Sequence, residues 1–236
     1  MDEAVASWFA GPIAVIPAVD VLGDEAVRLR RGAYDDVVER ADDPAALAER
    51  WCDLGAPRIH LVDLDGARSG RARPGLVERV AAACAPVPLQ ASGGVRSPAD
   101  AHALLAAGAD RVIVGTAAWP DPAPWVAELG DALAVAIDVR DGRLQTSGWT
   151  RDEGVGVSEA LERAQAAGVR RVLVTAIDRD GTLAGPDLEL VEQAAGTGLA
   201  VLAAGGIRSP EDVAALAAAG AEAAVVGRAL LALAPS

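Results

Sequence analysis

Two cysteines, two histidines and no surplus of positive charge set the first limits on what this 236-residue chain can be. Cys52 and Cys84 have no metal-ligand spacing, so they are read as buried thiols of a reducing cytosol. The histidines form no cluster with them: His60 lies inside a strand-like HLVDLDG run and reads as a packed structural residue. His102 lies on a helical stretch and reads as solvent-facing. The formal charge of −13 and pI near 4.5 exclude general affinity for nucleic acid or anionic membrane, since both targets are themselves negative. No run reaches the about 18 apolar residues that a membrane-crossing helix needs. The opening MDEAVASWFAGP has two acids and no basic run, so no secretory signal is expected and the location is expected to be cytoplasmic. No linker or second domain is visible. Residues 1–236 are expected to form one domain, with residues 1–12 as an N-terminal extension.

What the chain does have is a repeat. ASGGVRSPAD at 91–100 returns as AAGGIRSPED at 203–212, an offset of 112 residues. Leu104–Asp110 is echoed by Leu216–Glu222, and Val112–Ala117 by Ala224–Ala229, at the same offset without a gap. A duplication is the simplest account.

Around the repeat, short runs of Val, Ile and Leu alternate with longer alanine-rich stretches of helical period. Strands are expected at 14–17, 58–62, 87–91, 111–114, 133–137, 171–175, 200–203 and 223–226. Helices are expected at 44–54, 74–84, 98–107, 158–167, 186–195 and 210–219, several opened by Ser-Pro or Asp-Pro, a cap followed by proline at the first helical position. Strands that are continuously apolar belong to a sheet covered on both faces. Eight such units in this length predict an α/β fold, a single (β/α)8 TIM barrel built from two half-barrels. An open doubly wound sheet is the competing architecture. It usually shows one early glycine fingerprint, whereas here the glycines follow the third, fourth, seventh and eighth strands. The last helix is expected to be short.

In such a barrel the active site occupies the C-terminal ends of the strands. Gly93, Gly94, Gly115 and Thr116 would expose one cluster of backbone N–H groups there, and Gly205, Gly206, Gly227 and Arg228 a second. Glycine permits close approach of phosphate oxygens, and a helix start adds a favourable dipole. Tight βα turns alone would also explain glycines. Two matched sets favour an elongated small molecule with a phosphate at each end and its reacting bond between. Asp20, Asp138 and Asp180 are then acid–base candidates at the mouth. Asp63 and Asp65 could instead cap a helix or hold loops.

The phrases IPAVDV, AVRLRRG, IHLVDLDGA, SGGVR, VGTA, AIDV, SGW, DRDGTLAGP, AGGIRS and VVGRAL occur in an order that resembles the ProFAR isomerase family of histidine biosynthesis. The resemblance runs from Ile13 to Leu230. It implies a duplicated barrel that performs an Amadori rearrangement of an aminoaldose into an aminoketose, with no metal and no organic cofactor. By resemblance Asp20 is the general base and Asp180 the general acid. Asp138 matches a third mouth aspartate, Thr175 the strand-six threonine, and Arg28 and Trp149 loop residues that contact substrate. The sister cyclase is less similar in its first strand. A dual-substrate isomerase, which also takes phosphoribosylanthranilate, carries an arginine where this chain has Ser147. A homologue that only binds such a ligand is a third reading, opposed by Asp20 and Asp180. Ala176 and Arg31-Gly32 depart from the family pattern. A monomer is expected.

Overall fold

The computed structural model of the protein describes residues 2–30, 33–41 and 43–233. Among them twelve strands form in chain order. They are β1 (Ala14–Leu22), the hairpin β2 (Glu25–Arg30) and β3 (Ala33–Ala41), β4 (Ile59–Asp63), β5 (Leu89–Ser92), β6 (Arg111–Val114) and β7 (Leu133–Arg140). A second hairpin, β8 (Arg143–Thr146) and β9 (Arg151–Gly156), precedes β10 (Arg171–Ala176), β11 (Ala200–Ala204) and β12 (Ala223–Val226). The eight strands outside the hairpins pair in parallel, each with the next, and β12 pairs back to β1 through Ile16↔Val225. The sheet is therefore closed, and the architecture is the (β/α)8 barrel.

Helices cover its outside: α1 (Asp2–Phe9), α2 (Pro44–Asp53), α3 (Leu64–Ser69), α4 (Pro74–Cys84), α5 (Pro98–Ala106), α6 (Ala123–Leu129), α7 (Val157–Ala166), α8 (Leu188–Ala195), α9 (Pro210–Ala218) and α10 (Arg228–Leu231). Local chemistry starts several of them. The Asp43 carboxylate accepts from the Ala45 N–H ahead of α2, and Asp187 accepts from the Leu190 N–H ahead of α8. Such caps satisfy amides that a helix leaves without partners. Two cores result. One lies between sheet and helices and includes Trp51, Leu61, Val80, Leu104, Leu161 and Leu216. The smaller one fills the barrel lumen with Ile16, Ile113, Ala134, Leu173, Leu202 and Val225. Cys52 and Cys84 face each other between α2 and α4 with their thiols hydrogen-bonded. That neighbour and burial push Cys84 above the usual thiol range.

Three features depart from the sequence expectation. Residues 2–9, expected as an extension, form α1 and belong to the packed fold, with Val5 and Trp8 buried in the outer core. Ala4, Ser7 and Trp8 share a depression with Pro210, Ala229 and Leu233, so α1 packs beside the start of α9 and beside α10. A four-residue α10 covers little of β12, and α1 supplies apolar surface on that side. The first and fifth barrel strands also run past their expected ends at Pro17 and Ile137, to Leu22 and Arg140, because each continues into a hairpin. Those hairpins were missed because their strands, such as RDEGVG in β9, carry no continuous apolar run.

Candidate active site

Strand alternation decides which side chains enter the lumen at the C-terminal end. On β1, Ala18 and Asp20 face inward while Val19 and Val21 enter the outer core. The same alternation turns Asp138 inward from β7 and Thr175 from β10. These two are direct register partners on adjacent strands. Asp180 arrives differently, after a turn of 3₁₀ helix at 177–179, with its N–H bonded to the Ile177 carbonyl at 3.1 Å. Asp20, Asp138, Asp180, Thr175 and Trp149 all line one cavity of about 240 Å³ at this end.

Asp138 is held in a perturbed environment. Burial raises its pKa to about 6, and the Asp180 charge nearby acts in the same direction. Hydrogen bonds from the Thr175 hydroxyl and the Trp149 indole oppose the rise by favouring the ionised form. Asp20 and Asp180 are each 8 % exposed, enclosed on their sides but open to the cavity.

Trp149 stands on an unusual piece of backbone. Ser147, Gly148 and Trp149 have φ of 55°, 66° and 68°, a left-handed run that costs the two non-glycine residues energy. Surrounding contacts hold it. The Ser147 N–H donates to the Thr116 hydroxyl at 2.8 Å, and Arg140 donates from Nη1 to the Trp149 carbonyl at 3.1 Å. The Arg140 Nε is also 3.7 Å from Asp178, two residues before Asp180. Arg140 thus ties the tryptophan loop to the loop of the third carboxylate.

The glycine pairs have a structural reason that the sequence did not show. A Cβ at Gly93 would lie 2.1 Å from the Asp63 carbonyl oxygen, and one at Gly94 2.5 Å from the Ala72 nitrogen. In the other half, a Cβ at Gly205 would lie 2.6 Å from the Ala176 oxygen, and one at Gly206 2.3 Å from the Gly185 oxygen. All four have positive φ. They are required by chain-on-chain packing at the mouth, whatever binds there. Gly115 and Gly227 differ: φ/ψ of −95°/−110° and −103°/−88° set both outside the main wells open to other residues.

Gly93, Gly94, Gly115, Thr116 and Gly227 line the cavity with the carboxylates, whereas Gly205, Gly206 and Arg228 do not. Arg228 donates from Nη1 to the Gly181 carbonyl at 2.7 Å, bracing the chain just after Asp180. The Arg28 side chain and the Arg31-Gly32 departure lie outside the described residues. Asp63 caps α3 by accepting from the Gly66 N–H and pairs with Arg73, and Asp65 accepts from the Gly23 N–H. Both are therefore loop-holding residues. Ala176 is buried in the outer core. His102 is exposed on α5, its Nε2 3.6 Å from Glu128. His60 was read as structural packing, yet its ring lines the cavity. The signal that could have found it is its place two residues before Val62, on a strand whose alternate side chains face the lumen.

Among the described residues, no group of three or more His, Cys, Asp or Glu side chains could hold a metal ion, and no helix is long and apolar enough to cross a membrane. The arrangement gathers carboxylates beneath glycine-bounded loops, the equipment for general acid–base work.

Comparison with known proteins agrees with this geometry. Residues 14–234 match the family described as histidine biosynthesis protein. A protein of Roseiflexus sp. (strain RS-1) is 43 % identical over 92 % of this chain and 93 % of its own length. One of Thermomicrobium roseum is 45 % identical over 92 % and 91 %. One of Rubrobacter xylanophilus is 44 % identical over 93 % and 91 %. All three are named 1-(5-phosphoribosyl)-5-((5-phosphoribosylamino)methylideneamino)imidazole-4-carboxamide isomerase, that is, ProFAR isomerase. With a match this long and relatives this similar, the chain belongs to the histidine biosynthesis protein family.

Proposed function

We propose that this chain is an intramolecular isomerase that converts the ProFAR aminoaldose into its aminoketose. The observation that carries the reading is one cavity holding Asp20 and Asp180 from opposite halves of a barrel whose long relatives bear that enzyme name. The substrate ends in two phosphates. The Gly93-Gly94 and Gly115-Thr116 segments would hold one, and the Gly205-Gly206 and Gly227-Arg228 segments the other, through backbone N–H groups. Sulfate in the crystallised protein should occupy both positions, and a single anion site would count against the pairing.

Between the phosphates, Asp180 protonates the ribose ring oxygen. The ring opens and leaves a Schiff base between C1′ and the amine. Asp20 then removes the C2′ proton, and the C2′–H electrons form the enaminol double bond as the imine nitrogen gains an electron pair. Tautomerisation of the enaminol places the carbonyl at C2′ and returns the protons. Trp149 and Thr175 hold Asp138 beside the reacting sugar, with Arg28 as a further substrate contact. A second assignment, Asp138 as the acid, is favoured by one observation: burial keeps its carboxyl partly protonated near pH 6. The protein is expected to work as a cytoplasmic monomer.

The test is a parallel assay of purified protein on ProFAR and on phosphoribosylanthranilate. Turnover of the first with far weaker turnover of the second is expected, since Ser147 offers no cation to a second carboxylate. Comparable kcat/KM for both would establish the dual-substrate enzyme. Tight binding without turnover would leave only a binding protein.

A further inference from the structure

The loop that carries Asp180 is fastened at both ends and strained in the middle. Near its start, Arg228 donates to the Gly181 carbonyl, and the Thr182 N–H and hydroxyl both donate to the Arg179 carbonyl, at 3.1 Å and 2.6 Å. Farther on, the Gly185 N–H donates to the Gly206 carbonyl at 2.9 Å, which ties the loop to the second glycine pair. Between these bonds stands Leu183, with φ of 57°. A left-handed leucine is costly, and a turn that needed only that backbone would be better served by glycine. Among the described residues the Leu183 N–H and carbonyl make no backbone hydrogen bond that would hold the residue there.

Its side chain does. Leu183 is half-buried, packs against the outer core, and lines one depression with Ala4, Ser7 and Trp8 of α1. The helix is itself fixed to the barrel, because Val5 and Trp8 are 0 % and 4 % exposed. The chain leaving it runs along α9, where a Cβ at Gly11 would lie 3.4 Å from Val213. Arg208 borders the same depression and closes on the loop as well, with its guanidinium carbon 3.5 Å from where a Cβ would stand on Gly185. The depression therefore sits where the Asp180 loop, the residues after Gly205-Gly206 and α1 come together. Residues 2–9 stand ahead of the stretch 14–234 that matches the family, so half of this seat comes from outside the matched barrel.

We propose that Trp8 and Leu183 are positioning residues for the reaction, α1 providing the apolar seat that fixes the Asp180 loop against the Gly205-Gly206 turn. This rests on the isomerase reading above. The seat acts through Asp180, since Leu183 is three residues beyond it and the backbone between them is braced at Gly181 and Thr182. Burial of the leucine side chain offsets the strain of its left-handed backbone, so helix and loop order each other. A proton donor must meet the ribose ring oxygen within hydrogen-bond reach. A loop that drifts by about 1 Å therefore loses rate while the ligand stays bound.

Amide hydrogen exchange read by mass spectrometry tests the seat without using activity. In Trp8→Ala the amides of 181–185 should exchange faster while those of the barrel strands keep their protection. On ProFAR the same variant should lose about 10- to 10²-fold in kcat with KM little changed, and Trp8→Phe should recover most of the loss. Leu183→Gly relieves the backbone and removes the anchor. It should lose kcat to a similar extent, and Leu183→Met should recover it. Wild-type kcat in Leu183→Gly would show that only the turn matters and would overturn the proposal. Unchanged exchange at 181–185 in Trp8→Ala, or a rise in KM at unchanged kcat, does the same. A rise in exchange spread evenly over the barrel strands also overturns it, since Trp8 would then be a core residue only. If Trp8→Ala does not fold, Leu183→Gly decides, because its side chain is only half-buried. A wild type inactive on ProFAR would instead sink the isomerase reading, and the exchange pattern would still judge the seat.

Discussion

The two half-barrels agree where the backbone needs them to and disagree where side chains meet the cavity. Gly93-Gly94 and Gly205-Gly206 share positive φ and the same tight packing against neighbouring chain. A hairpin follows the first strand of each half, β2–β3 and β8–β9. One lumen row then diverges, with His60, Gln90 and Arg111 hydrogen-bonded across β4–β6 where Leu173, Leu202 and Ala223 stand on β10–β12. So do the carboxylates, with Asp20 in the first half and both Asp138 and Asp180 in the second. Duplication preserved the chain path, since a lost glycine would strain it. It left the inward positions free to specialise on a molecule with similar ends and a dissimilar middle.

The sharpest way to break this comparison is to remove one carboxylate from each half. Asp20→Asn and Asp180→Asn should each fold normally and lose about 10²–10⁴-fold in kcat, the usual worth of a positioned acid or base. KM should change less, because the proposed phosphate grips lie elsewhere. Asp20 and Asp138 are the strand-end pair of the two halves, whereas Asp180 comes from the loop after β10. If Asp138→Asn matched the loss in Asp180→Asn and removed the alkaline limb of the pH–rate profile, the acid would belong to Asp138. Near-wild-type turnover of Asp20→Asn would remove the base from Asp20.

The next effect concerns folding. Alanine at Gly94 or at Gly206 meets backbone atoms at 2.5 Å and 2.3 Å while adopting a left-handed φ. Each change should cost about 2–4 kcal/mol by denaturant titration, combining the backbone penalty with a forced shift of the neighbouring chain. Gly115→Ala is the contrast, with its Cβ 3.7 Å from the Ala136 Cβ, an ordinary contact. It should cost less. A large penalty at Gly94 and none at Gly206 would show that the halves pack differently despite equal spelling.

Much of this was legible in the chain, and the exceptions share a cause. Apolar runs such as Arg111–Val114 and Ala223–Val226 gave strands at their observed bounds, because both sheet faces are buried there. Proline after Ser97 or Asp43 fixed the helix starts. Asp20 and Asp138 stand at strand ends, which marked them as candidates, and Asp180 follows in the loop after β10. What stayed hidden depends on contacts between distant residues: the packing of Gly93 onto Asp63, the tie from Arg140 to Trp149, and the Arg111–Gln90–His60 row. The α1 helix was hidden for another reason, since only docking against the rest of the fold shows that Val5 and Trp8 are core residues.

Asp138 offers a smaller effect with an unusual sign. Its pKa in the folded protein, about 6, lies above its free value of 3.8, so the folded state holds the proton more tightly. Stability at this site is therefore full below about pH 4 and falls as pH rises to about 6, above which the whole cost is present. Asp138→Asn removes the charge that burial penalises. The variant should be more stable than wild type by about 1–3 kcal/mol at pH 7.5, the upper end reflecting the full displacement at about 1.4 kcal/mol per tenfold. The advantage should vanish at pH 4. Thermal unfolding at both pH values reads the difference, and an equal advantage at both would mean that burial does not hold the carboxyl up.

The smallest expected difference lies in the repeated Ser-Pro starts of α5 and α9. Ser97 accepts from the Asp100 N–H, and Asp100 accepts in return from the Ser97 N–H, so the first turn of α5 is closed reciprocally. Asp100 is held below the usual carboxylate range, since the N–H groups of Arg96 and Ser97 and the Ser97 hydroxyl outweigh its desolvation. At the matching place Ser209 makes no side-chain cap bond. Its hydroxyl engages Glu211, while Asp212 accepts from the Arg208 N–H at 3.0 Å. Ser-Pro-Ala-Asp therefore caps one helix with its serine, whereas Ser-Pro-Glu-Asp leaves the other to its aspartate. Ser97→Ala should cost about 1 kcal/mol, the typical worth of an N-cap hydroxyl, and Ser209→Ala roughly half a kcal/mol or less. The surface pair between Ser209 and Glu211 adds little in water. Parallel urea titrations of the two variants measure both values. Equal costs would mean that Ser209 caps α9 in solution, restoring the symmetry that this pair of turns breaks.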